Sequence, residues 1–285
     1  MASADIPLKM FGETGRRVSA VGLGGEGVLR THGREKEATS VIEMAIEQGI
    51  TYFDCARVYA GSEDYYGIVW RNRPDVRRRI FQASKSASRS RDEARDDLDR
   101  SLHRLGVEYL DLWQIHDVRT EEDLAEISRP GGALDAFVEA KAAGRVRFIG
   151  VTGHHDPTIL TRAVEEWPLD SVMMPVNPVE KALGGFLDVT LTAALQKGMA
   201  VIAMKVLGGG HYVHPKAGVT ADRLIQFALS QPVDVVIVGC SSPEEVHVLA
   251  ETGRAAQRMS PAQQDELVTA FEPLAKRLAF YRGVF

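Results

Sequence analysis

The sequence predicts an α/β protein, a single (β/α)8 barrel over residues 1–285 with a β-hairpin ahead of its first strand. Three observations predict it. Short runs rich in Val, Ile and Phe alternate with longer stretches of helical periodicity, the pattern of βαβ units around a parallel sheet. Eight such runs occur, each followed by a helix candidate. A length of 285 residues suits one barrel, which needs about 250, and no shift of composition or Pro/Gly/Ser linker divides the chain.

In chain order, "LKMFGETGRRVSA" (8–20) reads as a hairpin with a Gly-containing turn, placed to cover the barrel bottom. The strands then follow as "SAVGLG" (19–24), "TYFDC" (51–55), "IFQASK" (80–85), "LDLWQIH" (110–116), "FIGVTG" (148–153), "SVMMPV" (171–176), "AVIAMK" (200–205) and "VVIVGC" (235–240). Between the first two, "REKEATSVIEMAIEQG" puts Ala38, Ile42, Ala45 and Ile46 on one helical face, with Gly49 as the stop. Between the third and fourth, "SRDEARDDLDRSLHRLG" starts at Ser90, pairs it with Glu93 in a capping box, and ends at Gly106. The competing fold is an open doubly wound sheet, which wants a G-x-G-x-x-G turn after its first strand. "GLGGEG" (22–27) has the glycines but not that order, so the closed barrel is preferred.

Composition narrows the function. Apolar residues at 45% and charged residues at 26% are those of a globular protein with a sizeable core. A net charge of −5 with interspersed signs gives no field to attract nucleic acid or anionic membrane, so the expected partner is a small molecule. Two isolated cysteines, Cys55 and Cys240, fit a reducing compartment. The N-terminal "MASADIPLKMFGETG" lacks a basic segment followed by an apolar run, and the apolar runs fall short of the roughly 20 residues that span a bilayer. A cytoplasmic protein is expected, with its oligomeric state open.

Barrel chemistry sits at the carboxyl ends of the strands. Asp54 ends the second strand with Tyr59 in the loop after it, Lys85 ends the third and His116 the fourth. Asp54 alone could cap a loop, Tyr59 could pack, and His116 could be a satisfied core histidine. A lysine at the end of a buried strand is harder to explain without a partner. Together the four form one polar rim.

At these residues the chain resembles the aldo-keto reductase family, in "YFDCARVYAGSEDYYG" (52–67), "ASKS" (83–86), "RSLHRLGVEYLDLWQIHD" (100–117) and "GRVRFIGVTGH" (144–154), and more thinly over nearly the whole length. The resemblance implies a (β/α)8 fold and carbonyl reduction, or alcohol oxidation, with NADP(H) or NAD(H) bound without a Rossmann motif. It implies that Asp54, Tyr59, Lys85 and His116 are the catalytic residues. Hydride arriving at a carbonyl leaves an alkoxide that needs a proton, and a free tyrosine with a pKa of about 10 is a slow donor. A lysine about 4 Å away is worth roughly 4 kcal/mol at an effective dielectric of 20, about three pKa units. Lys85 is therefore expected to tune Tyr59, Asp54 to hold Lys85 charged, and His116 to aim the carbonyl oxygen. A barrel lyase using Tyr59 and Lys85 for proton transfer, and a noncatalytic cofactor-binding sensor, are the alternative readings.

The cofactor contacts implied by the resemblance diverge from the family pattern. Thr152 and Gly153 stand where the family has a Ser-Asn pair at the nicotinamide amide, so His154 or His155 is the substitute donor. The family's glutamine falls on Met173, leaving Asn177 as the nearest amide. After the seventh strand, Met204 replaces an aromatic ring, and Lys205, Leu207 and Gly208 are expected near the cofactor, Lys205 at its diphosphate. After the eighth, Gly239 and Cys240 replace a Lys-Ser pair and Glu245 an arginine, with Ser241 and Ser242 able to bond phosphate. Relaxed NADPH preference is therefore expected, with no metal. The loop "GGGHYVHPKAG" (208–218) is expected to cover the cofactor and bring His211 or Tyr212 to the substrate.

Overall fold

A computed structural model describes residues 5–255 and 257–284, so both ends of the 1–285 span, including Phe285 of the tail, lie outside the described residues. Leu8–Met10 (β1) and Arg17–Ser19 (β2) pair antiparallel. The barrel is formed by Val21–Gly27 (β3), Tyr52–Asp54 (β4), Phe81–Ser86 (β5), Leu110–Ile115 (β6), Val146–Thr152 (β7), Ser171–Pro175 (β8), Ala200–Met204 (β9) and Val235–Cys240 (β10). Every neighbouring pair is parallel, and β10 closes the barrel on β3 through Val236 opposite Val21. All eight expected strands are present within a few residues of their expected bounds. The largest difference is β3, which runs on to Gly27, so the glycines of "GLGGEG" lie inside a strand rather than in a phosphate-binding turn. Bare Cα atoms are needed there, since a Cβ on Gly22 would lie 2.8 Å from the Tyr52 ring.

Alternation along the strands divides the core in two. Tyr52, Phe81, Ala83, Leu112, Met173, Ala200, Ile202, Val235 and Ile237 fill the barrel interior. Their neighbours Phe53, Trp113, Val151, Val172, Val201 and Val236 point outward against the helices. The hairpin plugs the amino-terminal mouth by sending Phe11, fully buried, 4.8 Å from the Phe81 ring centroid. Its hold there is reinforced by Lys9 Nζ donating to Val233 O at 2.9 Å and by Glu13 N donating to Gly198 O at 3.0 Å. The same alternation places Asp54 above Tyr52, Lys85 above Ala83, and His116 above Leu112, at the opposite mouth.

The helices follow their sequence signals with two differences. Glu35–Glu47 buries Ala38, Val41, Ile42 and Ala45, while Ile46 packs only at the flank. At Arg91–Leu105, Ser90 Oγ accepts from Glu93 N–H, but it also donates to Glu93 Oε2 at 2.8 Å, so the carboxylate bonds the hydroxyl and not the Ser90 amide. The full reciprocal capping box lies at Pro261–Phe271, between Ser260 and Gln263. Among the described residues, no helix is long and apolar enough to cross a membrane.

Candidate active site

Asp54, Lys85 and His116 reach one rim because each lies an even number of residues from an interior side chain of its strand. Lys85 Nζ donates to Asp54 Oδ2 at 2.5 Å and to Cys55 O at 2.8 Å, and both side chains are nearly inaccessible to solvent. Burial alone would drive the Lys85 pKa down, but Asp54 and Tyr59 outweigh it and the net shift is upward, toward the ammonium. For Asp54, burial raises the carboxyl and Lys85 opposes it. Tyr59 enters from the β4 loop with its ring centroid 5.0 Å from Lys85 Nζ and 5.5 Å from the His116 ring, crossing the latter at 76°. The structure thus brings together all four residues expected from sequence.

The electrostatics correct one expectation. Burial pushes Tyr59 up to about 12, and Lys85, which acts downward as expected, does not overcome it. Tyr59 is a protonated phenol over the neutral range. His116 is pushed down to about 3, first by burial and then by Lys85, so its imidazole is neutral. Its Nδ1 has no hydrogen-bond partner among the described residues.

Tyr59 and His116 line a cavity of about 290 Å3. Charged residues absent from the sequence reading share the lining: Glu26, Arg30, Asp117 and Arg119. Glu26 Oε1 pairs with Arg30 Nη1 at 2.8 Å, and Asp117 Oδ2 with Arg119 Nη2 at 2.5 Å. The strand-end rule could have found Glu26, had β3 been drawn to its true end, and Asp117, which follows His116 directly. His154 also lines the cavity, 3.4 Å from Asp117, while His155 holds Gly283 N–H on its carbonyl.

The expected cofactor residues are distributed less evenly. Thr152 Oγ1 accepts from Asp117 N–H at 2.9 Å and Gly153 is buried beside it. Asn177 is given structural work instead: its amide donates to Lys205 O and to Tyr281 Oη, both at 3.0 Å, and its Oδ1 caps the Glu180 N–H. A fully buried amide with both protons committed is not presented to a nicotinamide. Lys205 lines the cavity with Tyr59 and His116. Leu207 packs on the core, and Gly208 touches the Tyr212 ring so closely that no side chain fits. Gly239 is equally confined, by Glu26, and the Cys240 thiol is buried, leaving only backbone to face a ligand at those positions. Ser241 and Ser242 start the helix Pro243–Ala255, where Glu245 Oε2 accepts from Ser241 N–H at 2.7 Å.

In the loop 208–218, the two residues expected at the substrate lie elsewhere. Tyr212 is buried with its hydroxyl donating to Leu278 O at 3.0 Å, and His211 crosses Phe280 at 5.4 Å, so both face the C-terminal tail and neither lines the cavity. The aromatic ring suits the apolar tail better than an open rim.

Comparison with known proteins gives the family and the fold. The model of the "Aldo/keto reductase family" matches residues 20–218. The chain is 28% identical to a 6-dehydroglucose reductase of Novosphingobium aromaticivorans over 84% of this chain and 83% of that protein, and 27% identical to an L-galactose dehydrogenase of Arabidopsis thaliana over 98% of each. Its fold is similar to that of an aldo-keto reductase of Bacillus halodurans in holo form (TM-score 0.76, 18% identity, 98% and 97% of the two chains). It is also similar to that of a Klebsiella pneumoniae aldo-keto reductase in complex with NADPH (TM-score 0.75, 20% identity, 93% and 95%). With the family model covering more than half of its length, the chain belongs to the aldo/keto reductase family.

Proposed function

We propose that the protein reduces an aldehyde or ketone to the alcohol with a nicotinamide cofactor, and that Tyr59 is the proton donor. The observation that carries this reading is the single cluster in which Tyr59, the Lys85–Asp54 ion pair and His116 meet beside one cavity.

The residues fit a nicotinamide cofactor at the reacting end, where the cavity borders both hydroxyl and imidazole. When bound, that cofactor supplies the hydride that becomes the new C–H bond. As the carbonyl π pair moves onto oxygen, the Tyr59 O–H bond breaks and its proton passes to that oxygen. The phenolate left behind faces the Lys85 cation 5.0 Å from its ring centroid, which stabilises it where little water can. His116 donates one N–H to hold the oxygen, and being neutral it does not compete as an acid. Asp54 fixes the ammonium by its 2.5 Å bond.

At the far end, the helix start at Ser241 and Ser242 is the candidate for the adenosine ribose or its 2′-phosphate. Glu245 already occupies the Ser241 amide, and its carboxylate opposes a phosphate dianion while suiting ribose hydroxyls. We infer that NADPH and NADH are both used. The polar cavity, with two of the similar proteins named for sugar chemistry, makes hydroxylated carbonyl compounds the first substrates to try. The test is NADPH oxidation, followed at the nicotinamide absorbance, across aldehydes, ketones and sugars. A folded protein that oxidises NADPH with none of them argues against the reading.

A further inference from the structure

Two non-glycine residues have positive φ among the described residues, Asp117 at 59° and Lys205 at 55°. Both follow the carboxyl end of a barrel strand, and both line the cavity beside Tyr59 and His116. Left-handed backbone is unfavourable for residues with a Cβ, and such strain persists where surrounding contacts impose it, often at functional sites.

For Lys205 the strain has a directional result. Ile202 points into the barrel and Ala203 out, so continued alternation would send Lys205 outward among the helices. The turn at φ 55° brings it to the barrel mouth instead. The Asn177 amide, bonded to the Lys205 carbonyl at 3.0 Å, holds the turn.

The charges around it are otherwise balanced. Glu26 has Arg30, Asp117 has Arg119, and Lys85 has Asp54. Lys205 Nζ pairs with no carboxylate among the described residues, although it is partly buried and burial lowers its pKa. A partly desolvated cation beside the reacting groups lacks only an anion.

We propose that Lys205 is a specificity-determining residue that binds an anionic group, a carboxylate or phosphate, on the carbonyl substrate. This rests on the reductase reading of the same cavity, but it moves Lys205 from the cofactor diphosphate to the substrate. Asp117, paired with the Arg119 guanidinium, does not cancel it.

The test is binding of product alcohols to the NADPH-loaded protein, which cannot turn over in that state, read by quenching of NADPH fluorescence. The pairs are 4-hydroxybutyrate against 1-butanol and glycerol 3-phosphate against glycerol. One charge-assisted contact is worth roughly tenfold or more in affinity. The expected result is that at least one anion binds about tenfold tighter than its neutral partner, that Lys205→Met removes the difference, and that Lys205→Arg keeps it. The pair that shows the difference identifies the anion. NADPH affinity in Lys205→Met is expected within about twofold of wild type. No preference in either pair, or a preference untouched by Lys205→Met, overturns the proposal. So does a tenfold loss of NADPH affinity in that variant with the alcohol preference intact. Failure of the reductase reading would appear separately, as NADPH that no carbonyl oxidises.

Discussion

Lys85 Nζ sits 2.5 Å from Asp54 Oδ2, and both groups are almost wholly out of water. Removing one member of such a pair leaves the other uncompensated, at a cost of about 3–5 kcal/mol. Lys85→Met is expected to abolish most turnover and to lower the denaturation midpoint. Lys85→Met combined with Asp54→Asn removes the stranded carboxylate, so it should recover most of the stability and none of the activity. Urea titration with steady-state rates checks both. A folded Lys85→Met protein with normal activity sinks the role.

A second expectation concerns pH. With His116 near 3 and Tyr59 near 12, neither titrates over the neutral range. A general acid works below its pKa and a general base above it. Reduction should therefore be flat in kcat/KM from about pH 6 to 9, while alcohol oxidation, needing the phenolate, should rise with pH. An inflection in the reduction profile near the ordinary histidine value of about 6.5 would contradict a neutral, buried His116.

Glu245 bonds the Ser241 amide at the helix start proposed above for the adenosine end of the cofactor. Glu245→Arg replaces an opposing carboxylate with a phosphate-binding fork, and should shift the NADPH to NADH ratio of kcat/KM toward NADPH by about 1–2 kcal/mol. Strong NADPH discrimination in the wild type, unchanged in the variant, would place the phosphate elsewhere.

The C-terminal tail is held by Arg282, which pairs with Glu180 in a buried contact and lies 5.0 Å over the Phe186 ring. Arg282→Met should cost about 3–5 kcal/mol because Glu180 is left buried and unpaired. Glu180→Gln with Arg282→Met should recover part of that loss. Equal stability of wild type and Arg282→Met in thermal unfolding would count against the clasp.

The strands and the four clustered residues were legible because a period of two and a strand-end rule act locally, so Asp54, Lys85 and His116 could be placed by counting from apolar neighbours. Residues whose role depends on distant partners were not. Asn177 is the nearest amide in the sequence, but Tyr281, more than a hundred positions on, takes one of its protons. His211 or Tyr212 was expected at the substrate, but the tail residues Leu278 and Tyr281 claim the Tyr212 hydroxyl and His211 packs on Phe280. The sign of the Lys85 effect on Tyr59 was legible, but the opposing burial was not, since it is set by the whole barrel mouth. That Lys205 reaches the barrel mouth through a left-handed turn was not legible, because no side-chain pattern announces a positive φ.

The most direct measurement is the rate of carbonyl-dependent NADPH oxidation by Tyr59→Phe beside wild type, with NADPH affinity taken from fluorescence on the same samples. The variant loses one hydroxyl and little volume, so the account predicts turnover down by roughly 10²–10⁴-fold with cofactor affinity kept. A folded Tyr59→Phe protein that binds NADPH normally and retains more than about a tenth of wild-type turnover would contradict Tyr59 as the proton donor.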